Sequence, residues 1–155
     1  MRIFVGYVSM SGNTEDMASI IKEELLSAGC EVDMESLETM EVVELLTYDG
    51  IILGSYTWGD GDLPYEAEDF YEELNDWNLD CMLAACFGSG DHAYPKFCAA
   101  VDTLAHRVKE QGGCLYPELL KMELSPETNE QIADCRQFAR SFLAWINTKE
   151  PEHVY

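Results

Sequence analysis

The sequence predicts an α/β protein, a three-layer α/β/α sandwich on a five-stranded parallel sheet. Three observations carry that prediction. Short apolar runs with the character of buried strands alternate with longer stretches whose apolar residues recur at helical spacing. The alternation is strict along nearly the whole chain, as crossover connections between parallel strands require. The segments of unusual composition follow strands one, three and four, at the edge where such sheets bind ligands.

Residues 3–8 (Ile-Phe-Val-Gly-Tyr-Val) read as the first strand. After a polar loop, a helix carries Met17, Ile20, Ile21 and Leu25 on one face and ends before Gly29. Residues 30–34 alternate as a short second strand, residues 41–46 form a brief helix, and residues 50–54 form the third strand. The polar stretch 55–64 follows. Phe70, Leu74 and Trp77 then recur at i, i+4 and i+7 on an otherwise acidic helix. Residues 82–87 are the fourth strand and residues 88–94 a loop. Phe97, Val101, Leu104 and Val108 make a helical stripe that Gly112 and Gly113 close, its start read at residues 94–102. Residues 114–124 carry the fifth strand. Ser125, Pro126 and Glu127 supply the cap, first-turn proline and acid of a helix start, and Ile132, Cys135, Phe138, Ala139, Phe142, Leu143 and Ile146 give that helix its apolar face. Residues 1–148 thus read as one domain and residues 149–155 as a loose tail.

The chain has 155 residues, 47% of them hydrophobic, enough for one domain with a real core. Its 30 acids against 9 bases give a formal net charge of −21. Nucleic acid and anionic membrane surfaces would repel such a chain, whereas basic proteins would be steered toward it. Between Lys22 and Lys96 there is no Lys or Arg but there are 19 acids. No run approaches the ~18 apolar residues of a membrane span, and the first apolar run lacks the length and cleavage pattern of a signal peptide. The six cysteines form no C-x-x-C pair. Cys81 and Cys86 have the first spacing of a plant-type iron–sulfur site, but position 89 is serine. A reduced, cytoplasmic protein fits this usage.

The three loops describe one site. Ser9, Met10, Ser11, Gly12, Asn13 and Thr14 put backbone N–H groups and hydroxyls at a helix N-terminus, an anion site without a cationic side chain. It is neither a P-loop nor a dinucleotide fingerprint, so a single terminal phosphate suits it better than a triphosphate. A plain capped turn has the same composition. In the second loop, Ser55, Tyr56, Thr57, Trp58, Gly59 and Asp60, a tryptophan stands among small polar residues. It is either a flat wall for a planar ligand or an indole folded onto the core. In the third loop, Gly88, Ser89, Gly90 and Asp91 allow close approach to the backbone, and Tyr94 offers a second aromatic face or is an ordinary half-buried tyrosine. His92 reads as an exposed loop residue. Two aromatic walls and a phosphate cradle describe a planar ring on a sugar-phosphate stem, and FMN has that shape.

These motifs resemble those of the short-chain bacterial flavodoxins, in the right order and over nearly the whole chain. The loop from Ser9 to Thr14 is similar to that family's phosphate loop. Thr57-Trp58-Gly59-Asp60 and Ala85-Cys86-Phe87-Gly88-Ser89-Gly90-Asp91 are similar to its two flavin-enclosing loops, and Tyr94, Phe97 and Cys98 continue the match. The resemblance implies a flavodoxin-like strand order 2-1-3-4-5, with no long insertion in the last strand. It implies FMN held by Ser9, Met10, Ser11, Gly12, Asn13 and Thr14 at the phosphate. Trp58 would stand on the inner and Tyr94 on the outer ring face, and Ser55, Tyr56, Thr57, Gly59, Gly88, Ser89, Gly90, Asp91, Phe97 and Cys98 would complete the site. In that family the peptide after the glycine beside the inner aromatic can turn over, so that its carbonyl accepts a hydrogen bond from the reduced flavin. The matching peptide joins Gly59 and Asp60.

The function implied is a low-potential one-electron carrier. Electrons would come from a flavodoxin/ferredoxin-NADP reductase-type donor and go to redox-enzyme acceptors docking on acidic residues 60–73. The carrier would be a monomer without an acid–base pair or nucleophile of its own. A carboxylate ~8 Å from an anionic reduced flavin at an effective dielectric of ~20 opposes it by roughly 2 kcal/mol. Asp60, Asp62, Glu66 and Asp91 therefore predict a strongly reducing second step. Two other readings share the fold. An FMN-dependent quinone or azo reductase would oxidise NADH directly. A signalling receiver domain would need clustered aspartates after strand one, where this chain has Tyr7, Val8 and Ser9.

Overall fold

The computed structural model describes residues 1–149, so residues 150–155 of the expected tail lie outside the described residues. Strands β1 (Arg2–Val8), β2 (Glu31–Ser36), β3 (Gly50–Ser55), β4 (Leu83–Gly90) and β5 (Cys114–Leu115) form a parallel sheet in the order β2-β1-β3-β4-β5, and β6 (Leu120–Glu123) also pairs with β4. The strand order is the expected 2-1-3-4-5. Helices α1 (Asn13–Ser27) and α5 (Asn129–Asn147) cover one face. Helices α2 (Val42–Leu45), α3 (Glu68–Leu74) and α4 (Ala99–Glu110) cover the other.

The two-residue period of the strands divides the core. Phe4, Ile51, Leu53, Ala84 and Cys86 pack under α2–α4, whereas Ile3, Val5, Ile52, Ala85 and Phe87 pack under α1 and α5. Both faces are covered, which is why β1, β3 and β4 read as unbroken apolar runs. Each large side chain buried in this way contributes about 1.5–3 kcal/mol relative to exposure. The register sets Val8 beside Ser55 and Ser89 beside Met122, so β1, β3 and β4 deliver their loops to one edge.

Several boundaries differ from the sequence reading. The fifth strand is split: Cys114–Leu115 meets β4 at Leu83 and Ala84, and Leu120–Glu123 meets it at Phe87 through Gly90. Pro117 lies in the gap and has no N–H for the ladder. The fourth strand is longer than expected, so Gly88, Ser89 and Gly90 are ladder residues rather than loop, held by β6. The last helix starts at Asn129. Its cap is Thr128, in a reciprocal capping box with Gln131, and Ser125 instead donates its hydroxyl to Asp16 Oδ2 at 2.8 Å. The helix read from residue 94 starts at Ala99, and α3 stops at Leu74 so that Trp77 packs from the turn beyond it.

Candidate functional site

From Val8 the chain turns through Ser9, Met10 and Ser11 into α1. Gly12 is the N-cap with φ +93°, a left-handed conformation that glycine adopts without a Cβ penalty. Its N–H donates to Ser9 Oγ at 3.0 Å, which closes the loop on itself. Among the described residues, the N–H groups of Ser11, Asn13, Thr14 and Glu15 have no acceptor within the protein. These are the orphan donors of a helix start, and the helix dipole adds partial positive charge at the same place.

Buried hydroxyls tie this loop to the others. Thr14 Oγ1 and Ser89 Oγ lie 2.7 Å apart, linking α1 to the end of β4. One hydroxyl donates to the other, which leaves one O–H proton uncommitted in the pair. Thr57 Oγ1 accepts the Ala100 N–H at 3.0 Å and so fixes the second loop on the start of α4. Ser55 donates its hydroxyl to the Tyr56 carbonyl at 2.7 Å. Tyr56 donates its hydroxyl to Glu66 Oε1 at 2.8 Å. Burial, and then that carboxylate, push the Tyr56 hydroxyl up to about 12. Beyond Thr57, Trp58 and Asp62 exchange backbone hydrogen bonds of 2.9 and 2.8 Å around a tight turn in which Gly59 has φ +52°. In the third loop Asp91 Oδ1 accepts the Ala93 N–H at 2.8 Å and Asp91 O accepts the Tyr94 N–H at 3.0 Å. His92 stacks on Phe97 with ring centroids 3.7 Å apart, and its Nδ1 lies 3.0 Å from Glu123 Oε1.

Together these loops enclose a cleft of about 140 Å³ lined by Ser9, Met10, Ser11, Asn13, Thr14, Tyr56, Thr57, Ser89, Gly90, Asp91, Tyr94 and Leu124. No Lys or Arg lines it. Eleven of these twelve lining residues are ones the sequence singles out. Leu124 is the exception. It has φ +55°, donates its N–H to Gly90 O at 2.8 Å and is half exposed, but in the sequence it is only the last apolar residue of a strand.

The other sequence-predicted residues lie outside the cleft lining. Ser55 and Gly88 are buried in the strands behind it; a Cβ on Gly88 would stand 2.1 Å from the Ser55 carbonyl oxygen. Gly12 caps α1 and Gly59 sits in the 58–62 turn. Trp58 is not folded onto the core, being 54% exposed. It lines a neighbouring groove with Asp62, Leu63, Tyr65, Glu68, Tyr71 and Glu72. Phe97 packs on His92 and on the core. Cys98 is fully buried under Gly90, with its thiol 3.8 Å from Gly88 O and 3.9 Å from Met122 O, and burial pushes that thiol up to about 11. Of the acids expected to act on a ligand, Asp91 reaches the cleft lining, Glu66 is bonded to Tyr56, and Asp60 is paired with Lys96 at 3.4 Å. Among the described residues no cluster of three metal-ligating side chains occurs, and no helix is long and apolar enough to cross a membrane.

Comparison with known proteins agrees with this fold. The family model described as flavodoxin matches residues 5–138. The chain is 48% identical to "Probable flavodoxin 1" of Bacillus subtilis over 99% of its own length and 98% of that protein's. Its fold superposes on the crystal structure of oxidised Flavodoxin 2 from Bacillus cereus with a TM-score of 0.91, at 49% identity, covering 93% of this chain and 99% of that one. A Streptococcus pneumoniae flavodoxin gives a TM-score of 0.88 at 37% identity, covering 93% and 99%. The chain therefore belongs to the flavodoxin family, electron-transfer proteins that bind FMN.

Proposed function

We propose that this chain carries single electrons at low potential on non-covalently bound FMN, from a flavodoxin/ferredoxin-NADP reductase-type donor to redox-enzyme acceptors. Bound FMN supplies the redox chemistry, taking up and releasing electrons. The residues around the cleft bind and orient it. The observation that carries this reading is a cradle of unpaired N–H groups and hydroxyls beside half-exposed aromatics, with no cation among the lining residues.

The fit to FMN follows from the donor set. The free N–H groups of Ser11, Asn13, Thr14 and Glu15 and the uncommitted proton of the Thr14 and Ser89 pair are donors only, which suits a phosphate. Tyr94 at the mouth and Trp58 on the adjoining turn offer flat faces to a ring, 57% and 54% exposed. Tyr56, Thr57, Gly90 and Asp91 border the space between, and Gly12, Gly59, Ser55, Gly88, Phe97 and Cys98 hold those residues in place. Tyr56 stays neutral because burial, and then the Glu66 carboxylate that accepts its hydroxyl proton, raise its pKa.

Acidic residues 60–73 beside the turn form the docking face for basic partners. The protein works as a single copy in the cytoplasm, and its site lies in one domain of residues 1–148. The visible spectrum of the purified protein, followed by release and identification of the pigment, tests the core of the proposal. One FMN per chain is expected. A colourless protein that takes up no added FMN would overturn it, and rapid NADH oxidation by the protein alone would favour the reductase reading.

A further inference from the structure

At the edge of the sheet opposite the cleft, two thiols come together where β4 and β5 begin. The ladder pairs Leu83 with Cys114, and Cys81, two residues before Leu83, is the diagonal neighbour of Cys114. Backbone bonds fix that approach: Cys81 N–H donates to Gly112 O and Cys114 N–H donates to Met82 O, each at 2.9 Å. Two consecutive left-handed residues, Asp80 at φ +49° and Cys81 at φ +62°, turn the chain there, and Asn78 Oδ1 braces the turn by accepting the Asp80 N–H at 2.9 Å. Burial, and then the neighbouring Cys81 thiol, raise the Cys114 thiol above its ordinary range.

The pair also differs from the other cysteines in access. Cys81 is exposed and Cys114 half-buried, whereas Cys30, Cys86, Cys98 and Cys135 are buried. Burial pushes Cys86 and Cys135 up to about 12 and keeps their thiolates scarce. An oxidant from solvent therefore meets Cys81 first, with the half-buried Cys114 beside it on the neighbouring strand.

We propose that Cys81 and Cys114 form a two-electron thiol–disulfide site that reacts with a low-molecular-weight disulfide such as oxidised glutathione. Cys81 thiolate attacks one glutathione sulfur, the glutathione S–S bond breaks, and one glutathione thiolate leaves. Cys114 then gives its proton to solvent and attacks the Cys81 sulfur, releasing the second glutathione. Two cysteine thiols are oxidised and one glutathione disulfide is reduced to two thiols. The new bond joins the entry of β4 to the two-residue edge strand β5. The site does not depend on FMN, and Cys81 is the attacking residue because it alone of the pair is exposed.

The test is incubation of the full-length purified protein with oxidised glutathione, then alkylation under denaturing conditions and intact-mass and peptide analysis. A Cys81–Cys114 linked peptide is expected, with alkylation of four of the six cysteines, restored to six by dithiothreitol. Cys114→Ser should stop at a single glutathione adduct on Cys81, and Cys81→Ser should form no bridge. Alkylation of all six cysteines in the treated wild type, a persistent glutathione adduct without an internal bond, or a bridge between other cysteines would overturn the proposal.

Discussion

Thr14 and Ser89 are 75 positions apart and share a buried hydrogen bond of 2.7 Å, so each is a test of how the phosphate loop is held to the sheet. Thr14→Val keeps the shape but leaves Ser89 without its partner. The expected loss is about 1–2 kcal/mol of apoprotein stability in urea titration, together with weaker FMN binding. Wild-type values for both would show that the bond does not organise the loop. Gly59 is governed by its backbone instead. Its φ is +52° and the nearest atom to an added Cβ is 3.9 Å away, so Gly59→Ala meets backbone strain and no clash. If the peptide between Gly59 and Asp60 turns over on reduction, the variant should narrow the gap between the two midpoint potentials, by on the order of 50 mV for ~1 kcal/mol. An unchanged gap would remove that peptide from the redox response. Tyr48 and Tyr56 give a pH test. Each is pushed up to about 12, first by burial and then by a hydrogen-bonded carboxylate, Asp33 and Glu66 respectively. A raised folded-state value means the stability is fully present below the ordinary tyrosine value near 10 and is lost as pH climbs through about 12. Urea midpoints should therefore fall between those pH values, and less steeply in a Tyr48→Phe, Tyr56→Phe double variant. Much of the residue scale was legible: Ser, Gly, Asn and Thr at a strand-to-helix junction have few other uses. Leu124 was not, because a hydrophobic residue at a strand end carries no mark of its left-handed backbone. Trp58 was half legible; its composition said it was out of place, but not that its ring faces the groove beside the cleft.

At the scale of elements, the strands buried on both sides were plain and their ends were not. Residues 114–124 are apolar enough for one strand, and only Pro117 hints at the gap between β5 and β6. The end of β4 was hidden for the opposite reason. Gly88, Ser89 and Gly90 have loop composition, yet β6 supplies the ladder partners that keep them extended. The start of α5 offers a sharp contrast, since Ser125-Pro126-Glu127 has every local sign of a cap while the capping box belongs to Thr128 and Gln131. Gln131 also accepts the Glu127 and Thr128 N–H groups through Oε1, so the true start satisfies several orphan donors at once. Thr128→Ala should cost about 1 kcal/mol in urea unfolding. Ser125→Ala, which removes only an exposed bond to Asp16, should cost a few tenths. Equal effects would mean that the cap geometry is not what starts the helix.

Across the whole molecule, the fold leaves most of the negative charge without a partner. Several bases are already engaged, Lys96 with Asp60, Lys121 with Asp102 and Arg140 with Glu24, so the excess of 30 acids over 9 bases is left to solvent. Like charges oppose compaction and attract basic partners, and salt screens both. Screening lengths fall from ~30 Å at 0.01 M to ~3 Å at 1 M, which spans the range from whole-surface repulsion to contact distance. One variable should therefore move two observables in opposite directions. Apoprotein stability in urea should rise across that range. The second-order rate of electron transfer from the reduced holoprotein to a basic haem protein should fall at least tenfold, since steering enhances such rates by roughly 10–1000-fold. Neutralising Asp62, Glu68 and Glu72 to their amides should flatten the rate's salt dependence more than neutralising Glu127, Glu130 and Asp134 around the start of α5, because the first three line the groove at Trp58. If both sets flatten it equally, net charge alone governs association and residues 60–73 are a solvated face rather than a docking surface.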